Sequence, residues 1–197
     1  MGSWKSVNSR LKISRRYRRA SVESWRPSFI RELIIPLSQV PRFRRRMMRI
    51  WIRNQQKHIL SDQRKIRKAV RRILADLALP DAELSILLVD DAQIRELNRQ
   101  YLQKDRPTNI LAFPMRKGEY TTLHPHLLGD LVISVETAQR QCKRFGLHPT
   151  QMIILLMVHG ILHLIGYEHE GSKKGAHEMA LKQKELFQKC RNIGMVE

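Results

Sequence analysis

Apolar and polar positions change period several times along the chain, and each change marks an element. In 47–53, Ile50 and Ile52 alternate with Arg49, Trp51 and Arg53, which predicts a strand. Ser61 and Asp62 supply an N-cap pair for a helix to about Leu79, where Pro80 stops it. Ile66, Ala69, Val70, Ile73, Leu74 and Leu77 form its apolar face. Leu84 to Val89 reads as a buried strand, and Asp90-Asp91 cap a helix to about Leu102. Two more strands are predicted at Thr108–Phe113 and Leu128–Val135, separated by a Gly/His/Pro loop at 115–127. Helices follow at Glu136–Phe145, ending at Gly146, and at Thr150–Ile165, ending at Gly166. An amphipathic helix over Ser172–Cys190 comes last. Elements in this order predict the α+β class. There are no internal repeats. Residues 1–46 show no sustained period, and Pro27, Pro36 and Pro41 break what apolar runs they hold. They read as a basic, disordered N-terminal extension ahead of one domain at 47–197. Met47 or Met48, placed directly before the first strand, reads as the natural start, with 1–46 as a dispensable arm.

Charge sharpens this division. Of 197 residues, 37 are Lys or Arg and 18 are Asp or Glu, a formal net charge of +19. Residues 1–80 hold 22 basic and 4 acidic side chains, whereas 81–197 hold 15 and 14. The excess therefore belongs to the extension and the first helix, not to the domain at large. An acidic partner is implied, with nucleic acid the commonest kind. In the first helix, Arg64, Lys65, Arg67, Lys68, Arg71 and Arg72 place six positive charges in nine residues without an acid. A solvated helix surface would be the bland reading, but this density favours a phosphate-facing stripe. Cys142 and Cys190 are 48 positions apart with no CxxC pair, as expected of free thiols in a reducing compartment. The longest apolar run is short of a membrane span and is interrupted by histidine, so no membrane partner is expected. The Arg- and Ser-rich, acid-poor 1–46 also has the composition of a mitochondrial transit peptide, a lesser alternative to a cytoplasmic location.

Chemistry concentrates at 159–169, His-Gly-Ile-Leu-His-Leu-Ile-Gly-Tyr-Glu-His. His159 and His163 are i and i+4 on a predicted helix, so both imidazoles project from one face. Gly166 permits a sharp turn that can return His169 to the pair. Three neutral imidazoles with a fourth position for water are what a catalytic zinc site requires. Nickel or copper would also suit an all-imidazole set. The spacing matches the metzincin pattern H-E-x-x-H-x-x-G-x-x-H at every His and at the Gly. The protease's general-base Glu is replaced by Gly160, which counts against a peptidase.

The same run resembles the signature of the YbeY family, H-G-x-L-H-L-x-G-Y-D-H. Lys104-Asp105-Arg106-Pro107-Thr108-Asn109-Ile110-Leu111-Ala112-Phe113-Pro114 resembles that family's K-D-x-P-T-D/N-V-L-S-F-P. Leu128-Gly129-Asp130-Leu131-Val132-Ile133-Ser134 resembles its L-G-D-I-x-I-S. The likeness spans about residues 48–190. It implies a compact α+β domain with one mixed sheet of about four strands and a metal-binding helix in the cleft. It further implies a metal-dependent, single-strand-specific endoribonuclease acting in 16S rRNA 3′-end maturation and ribosome quality control. RNA and the small ribosomal subunit would be its partners and the cytoplasm its location. Carried over residue by residue, the ligands of one Zn2+ are His159, His163 and His169. Two positions depart from the pattern. Tyr101-Leu102 stands where the family has Tyr-Arg, the Arg acting against phosphate; Arg99 and Arg106 are nearby substitutes. Glu168 replaces the Asp before the last His and keeps its charge.

The remaining candidates follow from this. Glu168, beside a ligand, and Arg106 are the candidate catalytic residues. Thr108 and Asn109 cap the start of a strand, and Phe113-Pro114 is core followed by a strand end. Gly129-Asp130 is a bulge, or Asp130 orients a ligand imidazole. His124 and His126 are loop histidines, and Trp4 and Trp25 in the extension are available to stack on bases. Two further classes of function stay open at this point: a metallopeptidase-like zinc hydrolase, and a zinc-containing ribosome-assembly factor with little nuclease activity.

Overall fold

A computed structural model describes residues 48–56, 62–116, 126–169 and 172–194. The predicted extension 1–46, with Trp4 and Trp25, lies outside these residues, as does His124. Four strands form one mixed sheet: β1 (Arg49–Asn54), β2 (Glu83–Val89), β3 (Ile110–Pro114) and β4 (Leu127–Ser134), in the order β1-β2-β4-β3. β1 and β2 are parallel, as are β2 and β4, while β3 runs antiparallel to β4 at the edge. Among the described residues five α-helices accompany them: α1 (Gln63–Asp76), α2 (Asp91–Leu102), α3 (Val135–Phe145), α4 (Pro149–Leu164) and α5 (Lys173–Cys190). The α+β class and the mixed sheet agree with the expectation, and most boundaries move by only one or two residues.

Two shifts have a local cause. The first helix ends at Asp76, not Leu79. Ala78 takes a positive φ of 55°, and the Ala78 and Leu79 amides donate back to the Ala75 and Leu74 carbonyls. The helix is thus closed by a left-handed turn before Pro80 is reached. β3 begins at Ile110 instead of Thr108, because the Asn109 Oδ1 takes the Ile110 amide at 2.9 Å. The side-chain capping expected there is real and sets the strand's start.

The sheet is covered on both faces, so β2 and β4 are apolar nearly throughout. Strand alternation sends Leu84, Ile86, Leu88, Leu131 and Ile133 to the face packed by α1 and α4, with α5 outside them. Leu87, Val89, Leu111, Phe113 and Val132 face α2, where Ile94 completes a smaller cluster. β4 carries the expected bulge: its register against β2 slips by one residue, so that Leu84 meets Gly129 rather than Leu128. Gly129 has φ +136°, and a Cβ there would stand 2.1 Å from the Phe113 carbonyl oxygen. Only glycine permits this approach between edge strand and neighbour.

Helix α4 is buried along most of its length. His148 caps its start, its Nδ1 accepting from the Thr150 amide, with Pro149 in the first turn. α4 lies so close to the sheet that a Cβ on Gly160 would sit 2.6 Å from Leu131 Cδ2 and 2.7 Å from Ile110 Cδ1. The position that holds a general base in the metzincin pattern is here a point of close helix–sheet contact.

Candidate metal centre

The end of α4 is built to bring three imidazoles together. His159 and His163 share a face one turn apart, their ring centroids 4.6 Å from each other. Beyond Leu164 the chain reverses through Gly166 at φ +96°. The Gly166 amide donates to the His163 carbonyl and the Tyr167 amide to the Leu162 carbonyl. This paired pattern is the Schellman closure, which satisfies the last helix carbonyls and turns the chain back. His169 therefore returns to the pair, with centroids 5.4 Å from His159 and 5.0 Å from His163.

One nitrogen from each ring lies within 4.8 Å of the others, and His159 Nε2 and His163 Nε2 are 2.9 Å apart. Nitrogens around a tetrahedral zinc at roughly 2.0–2.1 Å would be about 3.3 Å apart. The trio brackets that spacing, so the donor set fits a divalent ion. His159 is fully buried, whereas His163 and His169 are half-buried, which leaves one side of the trio toward solvent. Burial, and next the neighbouring His163, hold the His159 imidazole well below its ordinary pKa. It is therefore neutral, the form a ligand must have.

The second nitrogen of His159 also has a partner. Nδ1 lies 2.8 Å from Oε1 of Gln183, a buried side chain on α5. Sequence reasoning missed this residue. A signal was present: Gln183 falls in the buried stripe of α5 with Met179, Leu186, Phe187 and Cys190, as its polar member.

Other predicted residues are distributed more widely. Glu168 is exposed in the turn between His163 and His169. Arg106 is exposed, and its carbonyl accepts from Asn98 Nδ2 in α2 at 2.7 Å. Arg99, a substitute for the family Arg, is paired with Glu96 at 2.6 Å. Leu102 is half-buried at the margin of the α2-side cluster. Asp130 shares the α2-side face with Val132 by strand alternation. The partner it was expected to provide for a ligand imidazole is, at His159, Gln183. His126 contacts Glu83 at 3.4 Å.

The basic helix lies away from the trio. α4 and α5 run antiparallel: His159 meets Gln183, while Gln151 Nε2 donates to the Arg191 carbonyl. α1 reaches α5 at its far end, where Cys190 Sγ faces the Ala69 carbonyl and Lys189 faces Asp76. Seven residues of helix separate Gln183 from Cys190, about 10 Å at the α-helical rise. Of the six basic side chains, Arg67 donates to the Ile50 carbonyl and Arg72 pairs with Asp76. Arg64, Lys68 and Arg71 are exposed, and Lys65 is half-buried. Among the described residues no single helix is long and apolar enough to cross a membrane.

The chain is similar to known proteins over most of its length. The sequence model of the family described as Endoribonuclease YbeY matches residues 51–191. An endoribonuclease YbeY of Syntrophotalea carbinolica is 45% identical over 143 residues, covering 72% of this chain and 95% of that protein. One from Geobacter metallireducens is 41% identical over 150 residues, 76% of this chain and 100% of its own length. A Thermotoga maritima protein solved in solution superposes with a TM-score of 0.52 at 26% identity, covering 73% of this chain and 89% of that one.

Proposed function

The chain belongs to the endoribonuclease YbeY family, and from that premise we propose that it is a zinc-dependent endoribonuclease specific for single-stranded RNA. His159, His163 and His169 are its metal ligands. Its work is maturation of the 16S rRNA 3′ end and ribosome quality control, in the cytoplasm, on the small ribosomal subunit. The observation that carries the reading is the convergence of three imidazole nitrogens within 4.8 Å at the end of α4. A bound zinc ion there supplies Lewis acidity toward a phosphate oxygen and an acidified water.

The chain's own residues do the rest. Burial keeps His159 neutral and excludes water behind it. The half-buried His163 and His169 form the side from which a phosphodiester approaches. Glu168, exposed in the same turn, is the residue proposed to take a proton at its carboxylate. Arg64, Lys65, Arg67, Lys68, Arg71 and Arg72 gather the RNA backbone without regard to sequence. Arg67 and Arg72 contribute less, because each is already engaged. A second reading, an assembly factor with weak nuclease activity, draws its support from Leu102 packing where the family has Arg.

The test is cleavage of a labelled single-stranded RNA by zinc-loaded wild type, His159→Ala and the half-buried His163→Ala. Wild type is expected to cut single strands and spare duplex, and both variants to lose cleavage. Equal cleavage by all three would assign the activity to a contaminant and overturn the proposal. Zinc binding by a wild type that does not cut would favour the assembly factor.

A further inference from the structure

We infer that Gln183 is a positioning residue for the metal centre, fixing the tautomer and orientation of His159 from behind. The inference rests on the three-histidine reading and extends it to a residue outside the motif. Two observations carry it. The His159 Nδ1 to Gln183 Oε1 contact is 2.8 Å, and both side chains are about 1% exposed. A neutral imidazole has one N–H and one lone pair, on different nitrogens. An amide oxygen only accepts, so Nδ1 must carry the hydrogen and donate it to Gln183. The lone pair then resides on Nε2, the atom turned toward His163. In water an imidazole interchanges its tautomers and its ring rotates. With Oε1 facing Nδ1, as observed, the competing tautomer would set a lone pair against the amide oxygen, so it would require the Gln183 amide to turn over and present Nε2 instead.

The choice of an amide also has a consequence. A carboxylate at 183 would orient the ring equally well and raise its basicity. It would also place a negative charge in a fully buried position behind the site. Gln183 orients without charge, so three neutral imidazoles leave the ion's two positive charges uncompensated. Such a centre favours an anionic ligand such as a phosphodiester.

The experiment compares zinc affinity of the metal-free full chain, measured by competition with a chromophoric chelator, for wild type, Gln183→Met and Gln183→Glu. Melting of the metal-free proteins serves as the folding control. Gln183→Met retains length and apolar packing but cannot accept. It is expected to bind zinc 10–100-fold more weakly with little change in metal-free melting. Gln183→Glu restores the acceptor and is expected to recover zinc affinity while binding inorganic phosphate more weakly at the loaded site. In parallel, 15N-correlated NMR of the metal-free wild type is expected to show His159 as the Nδ1–H tautomer. Unchanged zinc affinity in Gln183→Met, or no recovery in Gln183→Glu, would overturn the inference while leaving the trio intact. Failure of wild type itself to bind zinc would remove the metal centre and this inference with it. Should Gln183→Met not fold, the wild-type spectrum decides alone: a hydrogen on His159 Nε2 refutes the assignment.

Discussion

Substituting Gly160 tests why this site lacks the protease's glutamate. In Gly160→Ala the new Cβ would lie 2.6 Å from Leu131 Cδ2 and 2.7 Å from Ile110 Cδ1. An unstrained carbon contact needs about 3.5–4.0 Å, so each methyl must give by roughly 1 Å. Both are side-chain ends, but Leu131 and Ile110 are buried, so neither can move out into solvent. Overpacking of this kind costs about 1–3 kcal/mol. Ala gains about 1 kcal/mol over Gly in a helix interior. The net expectation is a loss of about 1 kcal/mol, read as a fall in melting temperature of about 2–4 °C for a domain of this size. Gly160→Glu adds the desolvation of a buried carboxylate, which costs several kcal/mol. Against a total stability of about 5–15 kcal/mol, that variant is expected to be largely unfolded. Thermal denaturation followed by circular dichroism reads both. A Gly160→Ala protein as stable as wild type, or a folded Gly160→Glu protein with peptidase activity, would refute the packing argument.

Two further predictions concern the α2 side of the sheet. Asp91 accepts from the Ser134 and Thr137 hydroxyls and from Arg140; burial alone would raise its carboxyl, but these donors hold it below the usual carboxylate range. A lowered folded-state pKa gives stability that is present above the unfolded value near 3.9 and lost as pH falls through the folded one. Asp91→Asn is therefore expected to cost about 1–2 kcal/mol at pH 7, less than a fully buried network because Arg140 is exposed. The difference from wild type should shrink as pH falls below the unfolded value near 3.9; a difference that stays constant as urea titrations are taken into that acid range would contradict it. Leu102→Arg restores the family's residue at a half-buried site, with an expected stability loss of about 1 kcal/mol from partial Leu burial. A gained phosphate contact should raise kcat/KM on single-stranded RNA about tenfold; no gain would mean the site works without that Arg.

The metal trio was legible in the sequence because everything that builds it is local. Helical periodicity aligns His159 with His163, and one glycine with positive φ returns His169. Element types were legible for the same reason, since the sheet's buried strands are plain apolar runs. What escaped was non-local. Gln183 is 24 residues from His159 and reaches it only because α5 packs antiparallel to α4. Asp91 reads as a helix-start residue, yet it joins α2 to β4 and α3 across more than 40 positions. Gly160 reads as a departure from a protease motif, and only the approach of α4 to Leu131 and Ile110 gives it a purpose. Ala78 carries no sequence signal for a left-handed turn, so the end of α1 was placed three residues late.

The contact at Gly160 and the position of the metal centre are one feature of the packing. His159 is the residue immediately before Gly160, and its ring is the buried member of the trio. The distance at which α4 settles on the sheet therefore fixes how deep His159 sits. Gln183 fixes the same ring from α5, on the other side. The His159 ring is thus buried and held by Gln183 from the α5 side, while His163 and His169 sit at the helix end and its turn, nearer solvent. Such a division would suit the proposed site, which must hold an ion yet admit a polymer: the buried imidazole lies behind, and the two half-buried ones lie toward solvent. It also separates binding from chemistry. α1 meets α5 at Cys190, about 10 Å along that helix from Gln183, so the proposed RNA-gathering charges of α1 would add little positive charge beside imidazoles that must remain neutral.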